Sequence, residues 1–166
     1  MSTLFVDTIN EKTSGNGIQI PGHVVQVTAL QDTTESSSTS STYAECSTAY
    51  RPAITPKSSS SKVLASFEIN IWGDVDNDTQ GTIAGQIKID MYVGGVFDSK
   101  IYETNTNNIA RGGQDRMTTI CVTRLTSPST TSEVTFRTSF RRNSGSRTLK
   151  FGTGSYSRAV LTEIAQ

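Results

Sequence analysis

Asp74, Asp76 and Asp78, in the stretch GDVDNDTQG, are the residues whose type and spacing come nearest to a metal-binding pattern. In a calcium loop such an alternation gathers hard carboxylate oxygens round one ion, with a glycine at the sixth position for the sharp turn and a bidentate glutamate at the twelfth. Thr79 and Gly85 stand at those positions here. The run is therefore expected to be a solvated loop of local Asx turns, holding no metal. His23 is the single histidine. As the base for a serine or cysteine nucleophile it would need an orienting acid and an oxyanion hole, and no G-x-S-x-G elbow accompanies it. We assign no catalytic residue and no cofactor, and expect a chain that is not an enzyme.

Binding chemistry is better represented. Arg137, Arg141, Arg142, Arg147 and Lys150 gather around a reversal at Asn143. They could contact a phosphate, an acidic sugar or a carboxylate on a partner protein. The same charges suit the wet face of a strand, where they discourage edge-to-edge pairing, and the formal net charge of zero favours that reading. Trp72, the sole tryptophan, falls on the polar parity of its strand with Glu68 and Asn70. An indole placed there can stack on a sugar, pack under a loop or meet another subunit.

The elements that must position these residues are strands. Hydrophobic residues make up 34% of the 166 positions and charged ones 18%, so Ser, Thr, Asn, Gln and Gly fill the remainder. That composition favours β-structure with many turns, and no helical i, i+3, i+4 pattern of useful length occurs. The neutral balance gives no electrostatic case for nucleic acid or for an anionic membrane. MSTLFVDTINEK has no basic n-region, and no apolar run approaches a membrane span, so a soluble chain made in the cytosol is expected. Cys46 and Cys121 have no metal-like spacing; both are read as reduced, small and buried, with a single bridge between them left open.

The firmest element is the hairpin from Thr82 to Tyr102. Ile83, Gly85, Ile87, Ile89, Met91 and Val93 share one parity, which predicts a strand with one wet face, and Gly94-Gly95 supplies the positive φ angles of a primed turn. Val63, Ala65, Phe67, Ile69 and Ile71 alternate in the same way, and this strand is expected to pair with the Thr82 strand. Further strands are read at Val24–Leu30, Tyr43–Tyr50, Val134–Arg141 and Ser157–Ile164. Arg116–Leu125 has apolar side chains on both parities, which suggests an outer face covered by a neighbouring subunit. Gln31–Thr42 and Asn105–Gly113 read as polar loops.

Two packed antiparallel sheets follow, with a jelly roll preferred over Greek-key and immunoglobulin-like orders. Residues 1–22 form an N-terminal arm and 23–166 the sandwich. Leu4, Phe5, Val6, Ile9, Ile18 and Ile20 on the arm need a surface to bury against, which makes them anchoring residues.

The opening MSTLFVDTINEKTSGNGIQIPGHVVQV resembles the start of small virion proteins of tailed phages, especially marine and cyanobacterial ones. ITPKSSSSKVLASFEINIW at Ile54 to Trp72, TRLTSPSTTSEVTF at Thr123 to Phe136 and AVLTEIAQ at Ala159 to Gln166 are similar to the same group. The resemblance implies a non-enzymatic virion surface protein, assembled in the host cytoplasm, trimeric through a jelly-roll knob and bound to other virion proteins through its arm. Capsid decoration is preferred, because no repeat or heptad could build a fibre shaft. A tail-fibre tip recognising host polysaccharide, or a carbohydrate-binding module, are the alternatives. Trp72, Arg137, Arg141 and Arg142 are the candidate partner or glycan contacts.

Overall fold

A computed structural model describes residues 20–73, 83–104, 107–110, 116–144, 148–152 and 156–166. The alternating segments form β1 (Val24–Asp32), β2 (Ser36–Ser38), β3 (Ala44–Glu45), β4 (Ala53–Ile54), β5 (Lys62–Gly73) and β6 (Ile83–Val93). They continue as β7 (Val96–Glu103), β8 (Asn107–Ala110), β9 (Arg116–Thr126), β10 (Val134–Ser144), β11 (Leu149–Phe151) and β12 (Ser157–Ile164). No helix occurs among the described residues.

β5 is the axis of the first sheet. β12 pairs with Lys62 to Glu68 and β11 with Ile71 to Gly73 on one side, while β9 pairs with Val63 to Gly73 on the other. β1 lies outside β12, giving the order β1-β12-β5-β9, and β2 lies outside β11. In the second sheet β10 has β3 and β4 on one flank and β6 on the other, and β6 pairs onward with β7 and β8. All pairs are antiparallel. The main strands run β1-β12-β5-β9 in one sheet and β3/β4-β10-β6-β7 in the other, so the chain crosses between sheets after β2, β4, β5, β8, β9 and β10, which is the double Greek-key order of a jelly roll.

That topology corrects the expected pairing of the Val63 and Thr82 strands. β5 and β6 lie in different sheets, so their apolar rows face each other across the core. Burial alone cannot distinguish a same-sheet neighbour from a facing one. Phe67 meets Phe136 edge-on at 5.7 Å between centroids, and Tyr50 lies 5.5 Å from Phe151, both across that core. Each such ring stabilises the fold by roughly 1.5–3 kcal/mol on burial.

The Gly94-Gly95 turn is present, with φ of 55° and 83°, as the primed geometry requires. The wet face expected of β6 is largely covered: Gln86 and Asp90 are buried, Gln86 beside Arg141 and Asp90 between Arg137 and Lys100, while Lys88 and Tyr92 are half-buried. Two predicted loops contain strands. Ser36–Ser38 pairs with β11, and Asn107–Ala110 takes over from β7 beside β6 after Thr104, whose Oγ1 accepts the Ile87 N–H at 2.9 Å. The first is wholly polar and the second only four residues long, so neither carries an apolar alternation that would leave a period in the sequence. Tyr43–Tyr50 shrinks to the two residues of β3. Cys46 is buried against the core as read, but Cys121 is exposed on the outside of the first sheet, and both thiols are free.

Candidate functional site

The two outer faces of the sandwich hold the candidate residues, and they differ in character. On the second sheet, register places Arg137 opposite Asp90 and Arg141 opposite Gln86. The Arg137 guanidinium lies 3.8 Å from the Tyr92 ring centroid, and Tyr92 packs edge-on against Phe97 at 5.9 Å. Arg141 Nε donates to Gln86 Oε1 at 2.7 Å and its guanidinium stands 4.6 Å from the Tyr43 ring. Tyr43 donates its hydroxyl to Glu103 Oε1 at 2.8 Å, Lys100 pairs with Glu103, and Lys88 pairs with Asp90.

Burial and the bond to Glu103 push the Tyr43 phenol up to about 12, while bonds from Lys100 and Tyr43 hold the Glu103 carboxyl below its ordinary range. Arg141 is thus engaged by a ring and a carboxamide within its own face, whereas Arg137 lies over a ring with its Nε buried and without a hydrogen-bond partner. Arg142 is half-buried, and its N–H donates to the Ser40 carbonyl at 2.9 Å.

Trp72 is elsewhere, on the outside of the first sheet, so the structure separates it from the arginines grouped with it in sequence. Cross-strand register lines up Ser37, Lys150, Trp72 and Met117 in one row over β2, β11, β5 and β9. Trp72 and Lys150 are half-buried, Ser37 is exposed and Met117 is 49% exposed. A groove of about 270 Å³ opens beside Lys150, lined by Glu35, Ser36 and Ser37. Asn70 secures the floor next to Trp72: its Nδ2 donates to the Tyr156 carbonyl at 2.6 Å, and its Oδ1 accepts the Thr119 hydroxyl at 2.6 Å.

The opposite end of this face is apolar. Val27, Thr162, Leu64 and Leu125 form a second row, with Ala29 and Val160 beside it. Val27, Leu125 and Val160 are 57%, 54% and 38% exposed. Leu64 and Trp72 are eight residues apart on β5, so the two rows stand about 26 Å apart. Glu68 and Arg158 form a salt bridge of 2.6 Å between them. The apolar end is also where the arm begins: Gly22 N–H donates to the Ala165 carbonyl at 2.8 Å, and Ala165 N–H to the His23 carbonyl at 2.9 Å.

Of the anchoring candidates, Ile20 is described and is 42% exposed; Leu4, Phe5, Val6, Ile9 and Ile18 lie outside the described residues, as do Asp74, Asp76, Asp78 and Arg147. Among the described residues no group of His, Cys, Asp and Glu is placed to hold a metal. His23 is exposed at the root of β1.

One polar site escaped the sequence reading. Glu163 is fully buried; its Oε1 accepts the Lys57 N–H at 2.8 Å and its Oε2 the Gln26 amide at 2.7 Å. The signal was present, since Glu163 shares the parity of Ala159 and Leu161 in SRAVLTEI and therefore points inward with them.

No protein-family model matches the chain, and no curated protein sequence matches it. Among solved structures, the VP2 subviral particle of infectious bursal disease virus is similar with a TM-score of 0.48 and 10% identity, over 98% of this chain and 37% of that one. The Gx strain of the same virus gives a TM-score of 0.44 and 14% identity over 84% of this chain and 32% of that one. The chain thus spans about a third of the length of the structures it matches.

Proposed function

We propose that this chain is a non-enzymatic structural protein of a tailed-phage virion, standing on the virion surface as a homotrimeric capsid decoration protein. The observation that carries the reading is the polarity of the domain. The root of the apolar arm and the apolar row of Val27, Leu64 and Leu125 lie at one end, and the mixed row of Ser37, Lys150, Trp72 and Met117 lies at the other. Leu4, Phe5, Val6, Ile9, Ile18 and Ile20 would bury against the major capsid protein, and the apolar row would meet neighbouring copies. The likeness of the opening residues to phage virion proteins supports the same assignment. Assembly takes place in the host cytoplasm.

A second reading, a tail-fibre tip that contacts host polysaccharide, is favoured by Trp72 and its polar neighbours. Particles assembled without the chain separate the two. Decoration predicts heads that rupture under milder osmotic shock, and near-stoichiometric copies per capsomer when the chain is restored. Heads of unchanged strength with lost adsorption would overturn decoration in favour of the tail.

A further inference from the structure

We propose that the row Ser37–Lys150–Trp72–Met117, with Glu35 beside it, is a saccharide-binding site. The inference deepens the tail-tip reading without requiring it, since a capsid-borne domain could use the same site. Cross-strand neighbours on one face have Cβ atoms about 5 Å apart, so the four residues span about 15 Å, close to the length of a short oligosaccharide. The indole supplies a flat apolar surface for the C–H face of a sugar ring. Ser37 offers a hydroxyl that both donates and accepts, Lys150 an ammonium donor and Glu35 a carboxylate acceptor, which together match the hydroxyls round a pyranose. The groove of about 270 Å³ is lined by Glu35, Ser36, Ser37 and Lys150, so it would take the part of the sugar that lies beyond Trp72 across Lys150, and it falls just under the roughly 300–1,000 Å³ of drug-sized sites.

The surroundings of Trp72 favour a polyol over a protein partner. Burying Lys150, Glu35 and Ser37 under a protein face would desolvate groups that such interfaces deplete at their centres. A sugar hydroxyl can add to the hydrogen bonding of such groups and leave them wet at the rim. The opposite end of the same face, with Val27, Leu125 and Val160 exposed, has no charged residue in its row, so a copy-to-copy contact there would leave the Trp72 row open. Asn70, fixed by Tyr156 and Thr119, keeps the β5 backbone under the indole from shifting when a ring stacks on it.

Trp72 is the only tryptophan, so emission from the intact chain reports this site alone. The full chain is screened on an array of bacterial capsular and O-antigen oligosaccharides with neutral and uronic-acid sugars, and each hit is titrated by Trp72 fluorescence. Saturable binding is expected, with affinity about millimolar for a disaccharide. Lys150→Ala should weaken it about tenfold, Trp72→Ala should remove the array signal, and Val160→Ser at the far end of the face should leave it unchanged. Thermal unfolding shows which variants fold; if Trp72→Ala does not, the half-buried Lys150→Ala carries the comparison. An array without binding above background, or binding that survives both substitutions, overturns the proposal. Neither result touches the particle experiment, because the titration uses the isolated chain.

Discussion

The clearest single-residue dependencies sit where β11 hands over to β12. Gly152 has a φ of 76°, and a Cβ built on it would meet the Thr34 carbonyl oxygen at 2.5 Å. Gly152→Ala therefore combines left-handed backbone strain with a backbone clash. We expect a loss of about 1–3 kcal/mol in urea unfolding, with the slope unchanged. Asp32, buried at the end of β1, gives a pH dependence. Burial pushes its carboxyl up, but hydrogen bonds from the Thr34 hydroxyl and N–H outweigh that and hold it below 3.8. A carboxylate with a lowered folded pKa contributes stability that is present above the unfolded value and is lost as pH falls through the folded one. Wild type should thus lose stability below about pH 4, and Asp32→Asn should flatten that acid limb in melts recorded across pH.

At the scale of elements, Glu163 joins three of them. It lies on β12 and receives the Gln26 amide of β1 and the Lys57 N–H of the connection between β4 and β5. Gln26 Nε2 also donates to the Thr55 carbonyl at 2.6 Å. Glu163→Ala would leave buried donors unmet and open a small void, costing about 2–4 kcal/mol in chemical denaturation. Glu163→Gln keeps the size and should cost less.

The strands that the sequence made legible are those whose two faces differ: β5, β6, β10 and β12 alternate apolar and polar because one side meets the core. Ser36–Ser38 was not legible because it is wholly polar, and Asn107–Ala110 because its four residues, NNIA, are too short to show a period; both are held by their neighbours' backbones. The partner of β5 was unreadable for another reason: strand order in a jelly roll is set by long-range crossings that leave no local period. For the site, parity alone put Trp72 outside. Only register could show that Lys150 belongs beside it and that Arg137 and Arg141 lie on the other sheet, stacked on Tyr92 and Tyr43.

For the whole molecule, the apolar row at the arm end and the outer edge of β9, which pairs with no strand among the described residues, are expected to be covered by copies of the chain. Sedimentation at micromolar concentration should give a trimer. Cys121, exposed on β9 in the single chain, should label with a thiol reagent more slowly as concentration rises. Cys46 should stay silent until unfolding, since burial and the neighbouring Glu45 push its thiol well up. A stable monomer with Cys121 reactive at every concentration would contradict self-association.

The most direct test of the virion assignment is a cryo-electron microscopy map of the assembled particle. Three-fold knobs should stand on the capsid, with Ile20 to His23 facing the shell and Trp72 facing outward. Density for the chain that is absent from the particle, or attached through its Trp72 end, would contradict the proposed role.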